Sequence, residues 1–89
     1  MLITCAELMA LGIGTRFVDC SDKHEIVRTV DSLIYGPDGA FDFRFSFVIP
    51  PRDHPAFELF ASDEDAPGDI IVVRDSSFGD RGPCFRVVE

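Results

Sequence analysis

The 89-residue sequence contains no tryptophan, one tyrosine and only eight basic residues. Sixteen acidic residues leave a formal net charge of −8. Nucleic-acid phosphates and anionic membrane surfaces are both bound by clustered Lys and Arg, so neither is a fitting partner for this chain. The sequence also lacks an apolar run of about 20 residues, as a spanning helix needs, and the basic start of a signal peptide. These absences predict a soluble, cytoplasmic protein.

Residues with catalytic or metal-binding chemistry are also sparse. Cys5, Cys20 and Cys84 form an odd set without C-x-x-C spacing, which argues against a disulfide framework or a zinc ribbon. We expect them to be small buried hydrophobes in a reducing compartment. In an extended segment, Cys20 and His24 would lie about 13 Å apart, too far for a nucleophile and its base. With no Gly-rich phosphate loop either, the sequence predicts no enzyme, no cofactor and no metal.

A chain of this length forms one small domain, residues 1–89, whose nine phenylalanines supply much of the core. Apolar and polar residues alternate strictly over residues 40–49, which predicts a half-buried antiparallel strand. Aligned rings also suit a stacking platform for bases, but an acidic platform would repel a nucleic acid, so we interpret them as core. The apolar set is Phe41, Phe43, Phe45, Phe47 and Ile49, and the polar set is Asp42, Arg44 and Ser46.

The remaining patterns define the fold class. A capping box formed by Thr4 and Glu7 predicts a short helix that ends at Gly12. A β-bulge near Asp31 is expected, because the alternation of the second strand changes phase there. The fold class is therefore α+β, a short N-terminal helix followed by a curled antiparallel sheet or a small partly closed β-barrel of about five strands. The strands are predicted over residues 15–20, 25–35, 40–49, 69–74 (a central buried strand) and 84–88.

Charge is distributed unevenly along the chain. Residues 53–69 hold six carboxylates and no Lys or Arg, a local charge of −6, whereas residues 1–52 sum to −2 and residues 70–89 to zero. A concentrated acidic surface attracts a basic partner over long range. A loop that only keeps the protein soluble would have the same composition. The six candidate partner-binding residues are Asp53, Glu58, Asp63, Glu64, Asp65 and Asp69.

The connection over residues 75–83 is a second candidate surface. Long connections are uncommon in small domains and are often functional. Phe78 lies at its centre, where an exposed ring would anchor an interface, and Asp80 adds a further carboxylate. The alternative interpretation packs the Phe78 ring back over the barrel mouth.

In size and charge the chain resembles phage-encoded inhibitors, including the anti-CRISPR proteins, some of which present carboxylates where DNA phosphates would bind. The resemblance covers no sequence motif. It implies a non-catalytic inhibitor that binds the basic surface of a host nucleic-acid-binding complex. A structural or assembly subunit, such as a phage virion component, is the alternative, and a small hydrolase is a third. The sequence does not determine an oligomeric state.

Overall fold

The computed structural model describes residues 1–57, 66–74 and 82–89. In these ranges, five antiparallel strands form a single sheet of order β4-β3-β2-β1-β5, and the helix α1 lies before them in the chain. This confirms the predicted α+β class with an antiparallel sheet. Within the described ranges β4 and β5 are not paired with each other, so the sheet is not closed and the partly closed barrel is not confirmed. The elements are α1 Cys5–Leu11, β1 Arg16–Asp19, β2 Arg28–Gly36, β3 Gly39–Val48, β4 Ile70–Arg74 and β5 Phe85–Val87.

Helix α1 begins at the predicted capping box. The Thr4 Oγ1 accepts from the Glu7 amide at 3.2 Å, and the Glu7 Oε1 accepts from the Thr4 amide at 3.0 Å. Gly12 follows the helix with a φ of 93°, a value that favours glycine. Cys5 and Leu8 are buried. Because seven residues are too few for a stable isolated helix, packing on the sheet must hold α1 in place.

Strands β2 and β3 form a long hairpin whose register contains the predicted bulge. Val30 pairs with Phe45 and Ser32 pairs with Arg44, which leaves Asp31 as an extra residue. Such a residue bends the strand and restores the alternation of buried and exposed side chains. The irregular pattern of β2 in the sequence therefore has the expected structural cause.

A second irregularity makes one part of the β3 prediction wrong. Ile34 pairs with Asp42 and Tyr35 pairs with Ala40, so Phe41 is the extra residue. Its side chain is 56% exposed, whereas Asp42 is buried. The strict alternation predicted for this strand therefore fails at its start, because a bulge changes which side chains are buried.

The core lies between α1 and one face of the sheet, which we call the inner face. The ring of Phe17 meets those of Phe43 and Phe85 edge-on, with centroids 5.9 and 5.4 Å apart. These three rings are fully buried. Burying each contributes about 1.5–3 kcal/mol to folding. Phe43, Phe45, Phe47 and Ile49 are buried, as predicted.

Two further predictions about burial are wrong. In the described part of the chain β4 is an edge strand rather than a central one, and Ile70 and Val72 are exposed on it. Cysteine burial also differs from the expectation. Only Cys5 is buried, Cys84 is intermediate and Cys20 is exposed, because Cys20 lies just beyond the end of β1.

Candidate functional site

The acidic segment, residues 53–69, lies in the connection from β3 to β4, and the structure describes both of its ends. The Ile49 amide donates to the Asp69 carbonyl at 2.8 Å, and the Gly68 amide donates to the Ile49 carbonyl at 2.9 Å. These bonds join the start of the connection to its end. The stretch of chain with six carboxylates therefore leaves the sheet and returns to it at one point.

Two of the eight candidate partner-binding residues are described. Asp53 and Asp69 are both exposed, and neither forms an ion pair with another described residue. Their side chains are therefore available to a partner. The other six lie outside the described residues, and their assignment stays a prediction; they are Glu58, Asp63, Glu64, Asp65, Phe78 and Asp80.

The connection from β1 to β2, residues 20–27, lies beside the start of the acidic segment. The rings of His24 and His54 are in edge-to-face contact, with centroids 6.3 Å apart. His54 is held in turn by the Ala56 amide, which donates to its Nδ1 at 3.0 Å. No local pattern in the sequence indicated this contact, because the two histidines lie 30 positions apart in the chain.

Arg28, at the start of β2, is buried and has a structural role. Arg28 is 4% exposed, and its Nη2 donates to the Asp22 carboxylate at 2.5 Å. Its guanidinium also lies 5.5 Å from the centre of the Phe45 ring. A buried charge needs such partners, since an unpaired one strongly destabilises a fold. Arg28 therefore forms an ion pair with Asp22 at the start of β2 and has a structural role.

The buried Asp42 has a structural role of the same kind. Its carboxylate accepts from the Arg74 Nε at 2.6 Å and from the Phe43 amide at 2.8 Å. Arg74 also lies over the Phe41 ring, 5.9 Å from its centre. The ion pair of Asp42 with Arg74 joins the start of β3 to the end of β4. The sequence predicted Asp42 to be exposed, so the pair could not be anticipated.

The three cysteines lie in different environments, because Cys5 is buried, Cys84 is half-buried and Cys20 is exposed. Burial raises the pKa of the Cys5 thiol, and the nearby Asp42 and Cys84 raise it further. A thiol with a raised pKa is a poor nucleophile, because the thiolate is the reactive form. Cys20 lies opposite Cys84, and its amide donates to the Cys84 carbonyl at 2.8 Å. Among the described residues no three His, Cys, Asp or Glu side chains are grouped so as to hold a metal.

A groove on the face of the sheet opposite α1, the outer face, was missed by the sequence analysis. It has a volume of about 370 Å³, and both polar and apolar side chains line it. The residues come from four different segments of the chain, so no local sequence pattern could reveal it. We call it the outer groove, and its lining residues are Arg16, Ile26, Val27, Thr29, Ser46, Phe47, Val48 and Ile70.

No family model matches this chain, and no curated protein or solved structure shows significant similarity to it. In the described parts of the chain, no helix has the length and apolar character needed to cross a membrane. The function therefore has to be argued from the surfaces of this fold.

Proposed function

We propose that this protein is a non-catalytic interaction protein whose acidic segment binds a basic surface on another protein. One observation supports this most directly. The acidic segment holds six carboxylates and no Lys or Arg, and it lies in a connection whose two ends are joined by hydrogen bonds at the same point of the sheet. Asp53 and Asp69, near those ends, are exposed. Charges gathered in this way attract a partner of opposite sign and raise the association rate.

The partner that best fits this surface is a nucleic-acid-binding complex. A stripe of clustered Lys and Arg is the usual mark of a surface that binds phosphates. Carboxylates bound to such a stripe would exclude the nucleic acid, so the protein would act as an inhibitor. In size and charge this corresponds to a phage-encoded, anti-CRISPR-like DNA mimic that works in the host cytoplasm.

Affinity capture with charge-matched variants tests the proposal. The binding variant carries Asp63→Asn, Glu64→Gln and Asp65→Asn. The control variant carries Glu7→Gln, Asp38→Asn and Glu89→Gln, three exposed positions outside the acidic segment, so both lose the same charge. Each protein is immobilised and exposed to a nuclease-treated host lysate, and bound material is eluted with duplex DNA.

We expect the parent and the control variant to retain a DNA-binding complex that duplex DNA releases, and the binding variant to retain much less. Equal retention by all three proteins would contradict the proposal. Equal loss in both variants would contradict it too, because the net charge alone would then explain the capture.

A second candidate function is that of an assembly subunit, and the edge strand β4 favours it. The run Ile70-Ile71-Val72-Val73 contains no charged residue and no proline, the residue types that usually prevent an edge strand from pairing with another chain. In the described residues β4 pairs with β3 alone. Ile70 and Val72 are 70% and 48% exposed. A strand of this kind pairs readily with a strand of another chain, as in a subunit of a larger complex such as a phage virion.

Sedimentation at increasing protein concentration tests this second candidate. If β4 joins copies of the chain, the parent forms oligomers, and Val72→Lys shifts it to a monomer that melts at the temperature of the dilute, monomeric parent. A parent that stays monomeric over the whole concentration range would contradict self-assembly through β4.

A further inference from the structure

The outer groove contains a row of polar side chains that crosses three strands. Arg16 on β1 pairs with Thr29 on β2, and Thr29 pairs with Ser46 on β3. Residues paired in this way point to the same face of a sheet, and neighbouring strands lie about 4.8 Å apart. The guanidinium and the two hydroxyls therefore line one side of the groove as adjacent hydrogen-bond donors.

None of these three polar side chains forms an ion pair or a side-chain hydrogen bond with another described residue. Arg16 is exposed and forms no ion pair within the described ranges, unlike Arg28, Arg74 and Arg86. The hydroxyls of Thr29 and Ser46 are half-buried and form no hydrogen bond to another described side chain or backbone group. A half-buried donor gains most when a ligand supplies its acceptor.

The rest of the groove is apolar. Val48 on β3 pairs with Ile70 on β4, and their side chains are 54% and 70% exposed. Val27, just before β2, is 38% exposed. Clustered exposure of large aliphatic side chains is uncommon on the surface of a soluble domain and often marks a binding site. A volume of about 370 Å³ lies within the range of small-molecule sites.

The charge of the lining residues defines the ligand further. The described lining contains one arginine and no acidic residue, although the chain as a whole carries a net charge of −8. Within the groove, an anionic group is therefore attracted to Arg16. A single guanidinium matches a carboxylate through two parallel hydrogen bonds, and the two hydroxyls add further donors.

We propose that the outer groove binds a small amphipathic carboxylate, a molecule with one carboxylate and a flexible apolar tail. The carboxylate accepts from Arg16, Thr29 and Ser46, and the tail lies across Val27, Val48 and Ile70. From β1 to β4 the groove spans three strand spacings, about 14 Å, which is enough for a carboxylate with an extended chain of about eight carbons. None of the lining residues belongs to the acidic segment, so the proposed site does not depend on the partner proposed for that segment.

Octanoate and 1-octanol are suitable probes, because they share a tail and differ in the head group. We expect titration calorimetry with the full chain to show that octanoate binds at one site. The affinity for 1-octanol should be about tenfold weaker. Arg16→Gln should weaken the affinity for octanoate about tenfold and leave the affinity for 1-octanol unchanged. In amide NMR spectra, octanoate should shift the signals of Thr29 and Ser46.

Two variants serve as controls. Arg44→Gln removes the same charge from the same face but lies outside the groove lining, so octanoate binding should be unchanged. Val48→Thr keeps the shape of an exposed side chain while making it polar, so it should weaken both probes equally. Melting curves of all variants show that each is folded before its affinity is compared.

Several results would overturn the proposal. Equal affinity for octanoate and 1-octanol would show that no carboxylate is recognised. Equal loss in Arg16→Gln and Arg44→Gln would show that only overall charge matters. An octanoate affinity that falls as the protein concentration rises would show that a second copy of the chain fills the groove instead. Absence of octanoate binding by the folded parent would also refute the proposal.

Discussion

The two faces of the sheet differ sharply, although the same strands form both. On β3, Phe43, Phe45 and Phe47 point to the inner face and are buried, whereas Arg44 and Val48 are exposed. The inner face is covered by α1, and its side chains stabilise the fold because their apolar surface is removed from water. On the outer face of β3, Arg44 and Val48 are exposed and Ser46 is half-buried. Neighbouring residues of one strand therefore differ in role: the buried ones stabilise the fold, and the exposed ones belong to the face on which we propose the outer groove as a binding site.

Neighbouring residues on β3 provide the strongest test of this comparison. Phe45→Ala should lower the free energy of unfolding by about 3–5 kcal/mol, since it leaves a cavity among packed rings. Ser46→Ala, one position away on the outer face, should change it by less than about 0.5 kcal/mol. Denaturant unfolding of both variants measures the difference. A Phe45→Ala protein as stable as the parent would show that the inner face is not the core.

A buried polar residue extends the comparison beyond apolar packing. Asp42→Ala removes the acceptor of both Arg74 and the Phe43 amide, so we expect a loss of about 2–3 kcal/mol. Asp42→Asn keeps an acceptor and should lose less. Thermal melts of the two variants measure this. If both variants melt at the same temperature as the parent, the contact of Asp42 with Arg74 contributes nothing to stability.

The cysteines give a smaller test of the same contrast. Cys5→Ser places a hydroxyl in an apolar environment and should lower the free energy of unfolding by about 1–2 kcal/mol. Cys20→Ser changes an exposed side chain and should have almost no effect. Urea unfolding of the two variants is the measurement. A selective loss of partner binding in the Cys20→Ser protein, with unchanged stability, would instead indicate a functional thiol.

The smallest effect is expected where the alternation of β3 fails. Phe41 is exposed and contacts Arg74, so Phe41→Ala should lower stability by only about 0.5 kcal/mol. Phe43→Ala, two positions away, should lose as much as Phe45→Ala. Comparison of the two by denaturant unfolding checks the bulge directly. A large loss in the Phe41→Ala protein would restore the simple alternation predicted from the sequence.

Local patterns in the sequence predicted the local features well. The capping box at Thr4 and Glu7 defines where α1 begins, because both hydrogen bonds lie within one turn. The phase change near Asp31 predicted the first bulge, and alternating phenylalanines predicted the buried side of β3. In each case the cause of the structure and the residues that show it lie within a few positions of each other.

The candidate site was predicted only in part. The charge of the acidic segment is a property of composition, and the role of this segment in partner binding stays a prediction. The outer groove could not be predicted, because Arg16, Thr29 and Ser46 become neighbours only when three strands pair in register. The same holds for the contact of His24 with His54.

The sequence by itself determined the class of the fold, the start of the helix, the long hairpin and the excess of negative charge. These depend on backbone preferences, on periodicity and on composition, all of which act locally or as sums over the chain. Only the tertiary structure decided that β4 is an edge strand in the described sheet, that Asp42 is buried and Phe41 exposed, and that a lone arginine and two hydroxyls share a groove. Strand order and register bring distant residues together, and no local pattern encodes those distances.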